Sequence, residues 1–473
     1  MRVKKTIQIN NFCNFSENEV CVNECYNFNA DKKLTSSIGV KIAKFPTELT
    51  SKIETELNTQ VDDLKRVDGV VYFKQEVPQL NESTNTLMVY GDNKKLYINH
   101  MFVGDNDLHW LFNLKFETPP ISLTYKKDDA DAMILASSDK MVVWRSGYSP
   151  YEISDAPIIT SMCMNDGVLF CTIKKPAFKI WYATDLDAEN VGKMSTVSNY
   201  ISLEDDLGDA KKVITFDESV YVFRDYGITK ISLIKNEITT SQIYQSNTKI
   251  LSNTISVCGG QVLFMTQSGM FSFNGVKVVK TPIDLFDKFD FKKESMCASS
   301  FSDKYYLALN INFNDGKQVL CEQNGHVNNV LMVVDVYDYS YDLLRGFDCK
   351  SLLVMKTETF EKMLVVFGSE YNNQIGEIVN DSIYVDQVLP KFWLSHNVTQ
   401  DNEVKLFTKL SLCCDSSVEI RLITDVGDYV FRTYTTGLNE FNFKIACKQL
   451  RIQISSLSKM VSVENVSVDY YDS

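Results

Sequence analysis

The chain has 473 residues, which is too long for one ordinary domain. Apolar residues make up 44% and aromatic residues 12%, which is enough for a sizeable core. Its formal net charge of −13 disfavours nucleic-acid binding, because that function needs a basic surface. The sequence contains no apolar run long enough to cross a membrane, and no apolar segment of a signal peptide follows the basic N-terminus. Without export, the twelve cysteines are expected to be reduced and mostly buried.

Residues 1–67 are predicted to form an N-terminal arm that ends in one short helix. Alternating stretches such as Thr6-Ile7-Gln8-Ile9 predict short strands in the arm. After Pro46 the apolar residues recur every three or four positions, which is typical of an amphipathic helix: Leu49, Ile53, Leu57, Val61 and Leu64. We expect this helix to pack by its apolar face, with a partner-binding helix as the alternative.

Residues 68–388 are predicted to form a β-propeller. Strong apolar runs recur about every 46 residues, near the length of one four-stranded blade. They begin near Leu87, Ile134, Val168, Val220, Val262, Tyr305 and Leu364. This spacing predicts six or seven blades, with a pair of β-sandwiches as the alternative.

The stretch 168–190 is the clearest of these units. Two runs rich in β-branched and aromatic residues flank a turn at Lys174-Lys175-Pro176, which predicts a central hairpin of one blade. Trp181 and Tyr182 are expected to lie in the core between blades. A swollen unit at 313–330 contains two Asn/Asp-Gly turns and predicts an extra hairpin or a long loop, with either a structural or a binding role.

Residues 389–473 are predicted to form a C-terminal β-sandwich. Six alternating strands follow one another at intervals of about 10 to 12 residues, as in compact sandwiches. Polar residues alternate with the apolar ones and are expected to line one exposed face: Arg421, Arg432, Lys444, Arg451 and Gln453. The predicted fold class is therefore all-β, a six- or seven-bladed β-propeller plus a C-terminal β-sandwich, with an N-terminal arm and one short helix.

The sequence predicts no catalytic, cofactor-binding or metal-binding residues. Its histidines are isolated and accompany no nucleophile motif: His100, His109, His326 and His396. Two acidic groups, Asp128-Asp129-Asp131 and Asp185-Asp187-Glu189, lack the glycine and distal glutamate of a calcium loop and are interpreted as solvated turns. Cys13, Cys21 and Cys25 lie close together and Cys413-Cys414 are adjacent, but no CxxC pair supports a zinc site.

Several phrases resemble the tail nozzle, or tail-stabilisation, β-propeller proteins of short-tailed bacteriophages. They are KIWYATDLDAEN (179–190), VVDVYDYSYDLLRGFD (333–348), the leader TIQINNF, and the ending LRIQISS…VENVSVDYY. In the second phrase leucines stand where that family usually has Trp. The resemblance implies a non-enzymatic virion component, a ring of about six copies whose arm and sandwich form a platform around the DNA exit channel. Its implied partners are itself, tail adaptor and tail-fibre proteins, with DNA passing unbound.

Two other functions stay open at this point. One is a β-propeller binding module that recognises a glycan or a protein through its loops. The other is a propeller enzyme, a hydrolase or lyase with carboxylates at the central channel. The virion ring is the main prediction, with localisation in the tail of the particle after assembly in the bacterial cytoplasm.

Overall fold

A computed structural model describes residues 3–9, 12, 22–47, 50–56, 64–77, 82–100, 109–127, 130–145, 148–153, 156–183, 199–234, 237–283, 295–313, 325–356, 361–369, 371–399, 403–433 and 435–472. Throughout these ranges the secondary structure is β-strand and turn, without a helix. No helix that could span a bilayer occurs among them. The chain forms two compact units, one of residues 1–41, 317–347 and 378–473 and one of residues 42–316 and 348–377.

The described residues of the arm form seven short strands. They are β1 (Lys4–Ile9), β2 (Val22–Tyr26), β3 (Phe28–Ala30), β4 (Leu34–Ser36), β5 (Gly39–Ile42), β6 (Lys44–Thr47) and β7 (Thr50–Glu56). The predicted helix after Pro46 is therefore wrong over its described part, because β6 and β7 pair as an antiparallel hairpin. Thr50, Ile53 and Thr55 are β-branched and favour a strand, and this preference outweighs the helical spacing of the apolar residues. Residues 57–63 of that prediction lie outside the described ranges.

Seven further sheets follow in the described part of the chain. The first three contain β8 (Val67–Val77), β9 (Glu82–Gly91), β10 (Lys95–His100) and β11 (His109–Lys115); β12 (Ile121–Lys127), β13 (Ala130–Ala136), β14 (Met141–Arg145) and β15 (Tyr151–Glu152); and β16 (Ile159–Asn165), β17 (Val168–Ile173), β18 (Lys179–Ala183) and β19 (Tyr200–Ser202). The next two contain β20 (Ala210–Phe216), β21 (Ser219–Arg224), β22 (Gly227–Ile234) and β23 (Glu237–Gln245); and β24 (Ile250–Cys258), β25 (Gln261–Thr266), β26 (Gly269–Phe273) and β27 (Val278–Lys280). The last two contain β28 (Cys297–Phe301), β29 (Lys304–Leu309), β30 (Val330–Asp335) and β31 (Tyr341–Arg345); and β32 (Cys349–Lys356), β33 (Glu361–Phe367), β34 (Ile375–Val379), β5, β35 (Ile383–Tyr384) and β36 (Gln387–Val388). The strand pairs of these sheets are antiparallel except that β5 pairs parallel with β35.

These sheets are the blades of a seven-bladed β-propeller. Their first strands contact one another in chain order from β8 to β32, and β32 contacts β8 to close the ring. The seven apolar runs singled out in the sequence lie in the second strands of the seven sheets. The prediction of a six- or seven-bladed propeller is thus confirmed, with seven blades.

The second strands are buried on both faces because each sheet packs between two others. In β13, Met133 and Leu135 belong to the cluster shared with the first sheet, whereas Ile134 and Ala136 belong to the cluster shared with the third. Trp181 is fully buried between the second and third sheets, and the partly buried Tyr182 packs against the third and fourth. Both were predicted to lie between blades, and both do.

The β-sandwich is built from β37 (Lys391–Ser395), β38 (Lys405–Cys414), β39 (Glu419–Thr424), β40 (Gly427–Arg432), β41 (Gly437–Cys447), β42 (Leu450–Ser456) and β43 (Ser462–Asp472) together with arm strands. One sheet has the order β3-β4-β43-β38-β41, with β1 also paired to β43, and the other has the order β2-β37-β42-β39-β40. Arm residues such as Ile9, Phe12 and Phe28 belong to its core with Trp393. All six strands predicted from the terminal sequence are present.

Candidate functional site

A cleft of about 520 Å³ lies at one end of the ring of first strands. It is lined by residues near the beginnings of β12, β16, β20 and β24 and by the turn between β17 and β18. Strands of four successive blades thus contribute to one concave site, a place where β-propellers leave a central channel. The lining residues that carry polar groups are Ser122, Thr160, Ser161, Lys174, Asp209, Lys211, Lys212, Ser252 and Asn253.

Side chains tie the first strands together around the cleft. The Ser161 hydroxyl of β16 accepts a hydrogen bond from the Val213 N–H at 3.1 Å and lies 3.3 Å from the Val213 carbonyl oxygen. The Lys212 ammonium of β20 donates to the Ile255 carbonyl of β24 at 2.7 Å. In the part of the chain that the structure describes, no backbone ladder joins the first strands of neighbouring blades, so such bonds fix the wall of the cleft.

The turn from the sequence hairpin forms one rim of the cleft. Lys174 is exposed at the end of β17, and its N–H donates to the Ile158 carbonyl at 2.8 Å. Beyond the cis Lys175–Pro176 bond, the Ala177 carbonyl accepts from the Ala210 N–H at 2.8 Å. The predicted turn is confirmed, and it places the Lys174 cation on the lining of the cleft.

A buried arginine holds the segment that enters β20. The Arg224 side chain is fully buried, and its guanidinium donates to the Leu203 carbonyl at 2.8 Å and to the Gly208 carbonyl at 2.6 and 2.9 Å. It also pairs with the Asp205 carboxylate. Because a guanidinium presents five donors in a fixed plane, this one residue fixes both ends of the turn before Asp209.

Two adjacent lysines in the cleft have different partners. The Lys211 ammonium lies 2.9 Å from the Asp209 carboxylate and 3.6 Å from that of Asp225. Burial alone would lower the pKa of Lys211, but these carboxylates outweigh it and raise the pKa. Lys212 has no carboxylate partner among the described residues, and burial lowers its pKa to about 8.

A second groove, of about 810 Å³, lies on the β2-β37-β42-β39-β40 sheet of the sandwich. The groove is lined by Arg421, Arg432 and Gln453, so the predicted polar face is confirmed for these three residues. Arg451 lies in β42 with Gln453, opposite Ile423 of β39. Lys444 is the exception, because it lies in β41 of the other sheet. The alternation showed exposure correctly, but it did not show which sheet each strand joins.

Lys391 is the most buried cation of this groove, with 1% of its surface exposed. Its ammonium donates to the Ser458 carbonyl at 2.7 Å and the Leu389 carbonyl at 3.3 Å, and burial lowers its pKa to about 8. Beside it, Tyr26 and Phe392 stack at 5.1 Å between ring centroids, but both rings are buried and offer little face to a ligand.

Most sequence features considered for chemistry do not meet in a site. Several of these features lie outside the described ranges: Asp128, Asp129, Asp185, Asp187, Glu189, Cys13, Cys21 and most of 313–330. Within those ranges, no group of three or more His, Cys, Asp or Glu side chains could hold a metal ion. Cys414 is buried and Cys413 partly so, both as free thiols. Sequence reasoning missed Lys211 and Lys212, whose only signal was two charges at the start of an otherwise apolar strand.

Comparison with known proteins gives similarity of structure without similarity of sequence. No family model matches the chain, and no curated protein matches it. Among solved structures, BBS1N in its complex with ARL6DN is similar at 10% identity and a TM-score of 0.44, over 68% of this chain and 94% of that one. Kluyveromyces lactis Hsv2 is similar at 11% identity and 0.38, over 66% and 93%. The extracellular domain of BT4673 from B. thetaiotaomicron is similar at 10% identity and 0.44, over 91% and 62%.

Proposed function

We propose that this protein is a non-catalytic β-propeller binding module whose channel-end cleft receives a carboxylate side chain of an acidic protein segment. The observation that carries the proposal is Lys212, a cleft ammonium bonded to one backbone carbonyl and to no carboxylate among the described residues. An ammonium has three donors, so an anion from outside can use those that Ile255 leaves.

The other lining residues favour the binding of an anionic ligand and do not provide the groups that catalysis needs. Lys174 and Lys211 add positive charge, and the serine and asparagine side chains add neutral donors. Asp209 is the carboxylate that lines the described cleft, and it is ion-paired with Lys211. A lone paired carboxylate lacks the separated acid and base that hydrolysis needs, which favours binding over catalysis.

A labelled oligoglutamate peptide tests this function by fluorescence polarisation. Lys212→Met removes the charge at similar length and is expected to weaken peptide binding about tenfold, the value of one charge-assisted hydrogen bond. Lys277→Met, on the exposed turn between β26 and β27, removes an equal charge and should leave binding unchanged. Equal affinities of the two variants would place binding elsewhere, and binding of oligogalacturonate in place of the peptide would assign a glycan partner instead.

The phage tail ring stays a prediction. An observation that fits it is that β1 and β2 of the arm pair with β43 and β37 of the sandwich, since arm and sandwich form one platform in the family that the sequence resembles. Electron microscopy of the purified protein tests it. Closed rings of about six copies support the prediction, and a protein without rings that is also absent from particles contradicts it.

A further inference from the structure

On one side of the sandwich, β40 is the edge strand of one sheet and β41 is the edge strand of the other, and the two strands are consecutive in the sequence. Among the described strands, β40 pairs with β39 alone and β41 pairs with β38 alone. Every second residue of β41 is exposed, and Phe441 and Phe443 remain only partly buried although they pack on the core. A long uncovered edge offers unpaired backbone groups to another strand.

The sequence of β41 is self-complementary about Asn442. If two copies of β41 pair antiparallel with Asn442 opposite its counterpart, Glu440 lies opposite Lys444 of the second copy, and Phe441 lies opposite Phe443 of the second copy. Two Glu–Lys contacts and two Phe–Phe contacts then form across the edge. Opposite charges and aromatic pairs in such positions stabilise a sheet, whereas like charges destabilise it.

The shorter edge strand β40 has the same property about Val430. Antiparallel pairing with its counterpart places Asp428 opposite Arg432 of the second copy, and Tyr429 opposite Phe431 of the second copy. Val430 then lies opposite itself. Two edge strands of opposite sheets are therefore both complementary to themselves.

The two centres face each other across the sandwich. The Phe431 ring lies 5.2 Å from the Phe441 ring and 5.4 Å from the Phe443 ring, so it sits beneath the middle of β41 at Asn442. A two-fold axis perpendicular to the sheets at Asn442 thus passes close to Val430 as well. One symmetry operation satisfies both strands.

We infer that two copies of this chain pair edge to edge through β40 and β41, each strand antiparallel to its own counterpart, about a two-fold axis near Asn442 and Val430. Both sheets of the sandwich then continue into the second copy. This inference is independent of the proposed ligand of the propeller.

The existing ion pairs of the edge extend into alternating rows in the dimer. Lys409 already lies 2.5 Å from Glu440, so Lys444 of the second copy completes a positive–negative–positive row. On the other sheet, the Glu419 carboxylate lies 2.8 Å from the Arg432 guanidinium, and Arg421 lies 3.9 Å from Asp428. In the dimer Arg432 faces Asp428 of the second copy, so the two ion pairs join into one row of alternating charge. Lys444 has no ion-pair partner among the described residues of its own chain, and the dimer supplies one.

Cysteine cross-linking tests the axis in the full-length chain. Residues on the axis face themselves, so N442C is expected to form an intermolecular disulfide, which needs Cα atoms about 4.4 to 6.8 Å apart. E440C is the matched control, because four residues of offset at about 3.4 Å each hold its two copies roughly 14 Å apart. The native chain, with its own free thiols, gives the background level of intermolecular cross-linking.

Charge reversal tests the pairing by sedimentation. E440K and K444E each place like charges opposite one another and should raise the dimer dissociation constant about tenfold, whereas K277E should not change it. Mixing E440K with K444E makes every contact attractive again and should restore dimers. Thermal unfolding of each variant checks that it is folded.

Two results would overturn the inference. One is a native chain that stays monomeric at all concentrations, or that forms rings unaffected by E440K and K444E. The other is cross-linking of N442C no faster than that of E440C. Restored association on mixing, together with selective cross-linking at position 442, would establish it.

Discussion

Burial of the charged Lys212 side chain destabilises the folded protein. Burial lowers its pKa from 10.5 to about 8, so between these values the unfolded chain binds more protons than the folded one. The contribution of Lys212 to the free energy of unfolding therefore rises as the pH increases from 8 to 10.5. Lys212→Met should raise stability at pH 7 by about 1 kcal/mol and flatten this rise, as denaturant titrations at pH 7 and 9.5 will measure. A variant less stable than the native chain at pH 7 would mean that the lysine serves the fold, and the ligand role would lose its support.

Among the elements, β5 depends on a glycine with no room for a side chain. A Cβ on Gly39 would lie 2.2 Å from the Ile383 carbonyl oxygen and 2.4 Å from that of Asp381, both backbone atoms. Gly39→Ala should therefore destabilise the protein by about 2 kcal/mol in denaturant titrations, since the backbone must shift. Gly260→Ala is the control: its Cβ enters open space at a φ of +75°, and only the backbone conformation costs about 1 kcal/mol. Equal losses would mean that the contact with Ile383 is unimportant.

The same elements show how far the sequence alone predicts this structure. The second strand of each blade was predictable because burial on both faces makes it a continuous apolar run, as in β17. The hairpin of β6 and β7 was not, because its apolar spacing matches a helix and only its β-branched residues indicate a strand. Nor was the cleft, because Lys174, Lys212 and Ser252 come from three different blades. Sequence patterns report local periodicity, and only ring closure brings such residues together.

For the whole molecule, the net charge of −13 opposes the lysines of the cleft in the capture of an acidic ligand. At low salt the Debye length is about 30 Å, so an approaching oligoglutamate meets the charge of the entire protein. Near 0.15 M salt this length is about 8 Å, and the ligand meets mainly the nearest lysines. We expect the association rate, measured by stopped-flow, to rise with salt over this range, and the dissociation rate to rise as well. A falling association rate would show that the lysines of the cleft dominate the field at long range.

The position of β5 has a consequence for the order of events during synthesis. This strand leaves the ribosome before any blade, yet it belongs to the sheet of β32, β33 and β34, and the Ala43 N–H that follows it donates to the Ile375 carbonyl at 2.8 Å. In the nascent chain β5 must therefore wait for its sheet while six blades are translated. Closing so long a loop is slow, and an unpaired strand is prone to misassociation during the delay. The last sheet of the propeller is complete only when its later strands reach a strand made at the beginning of the chain.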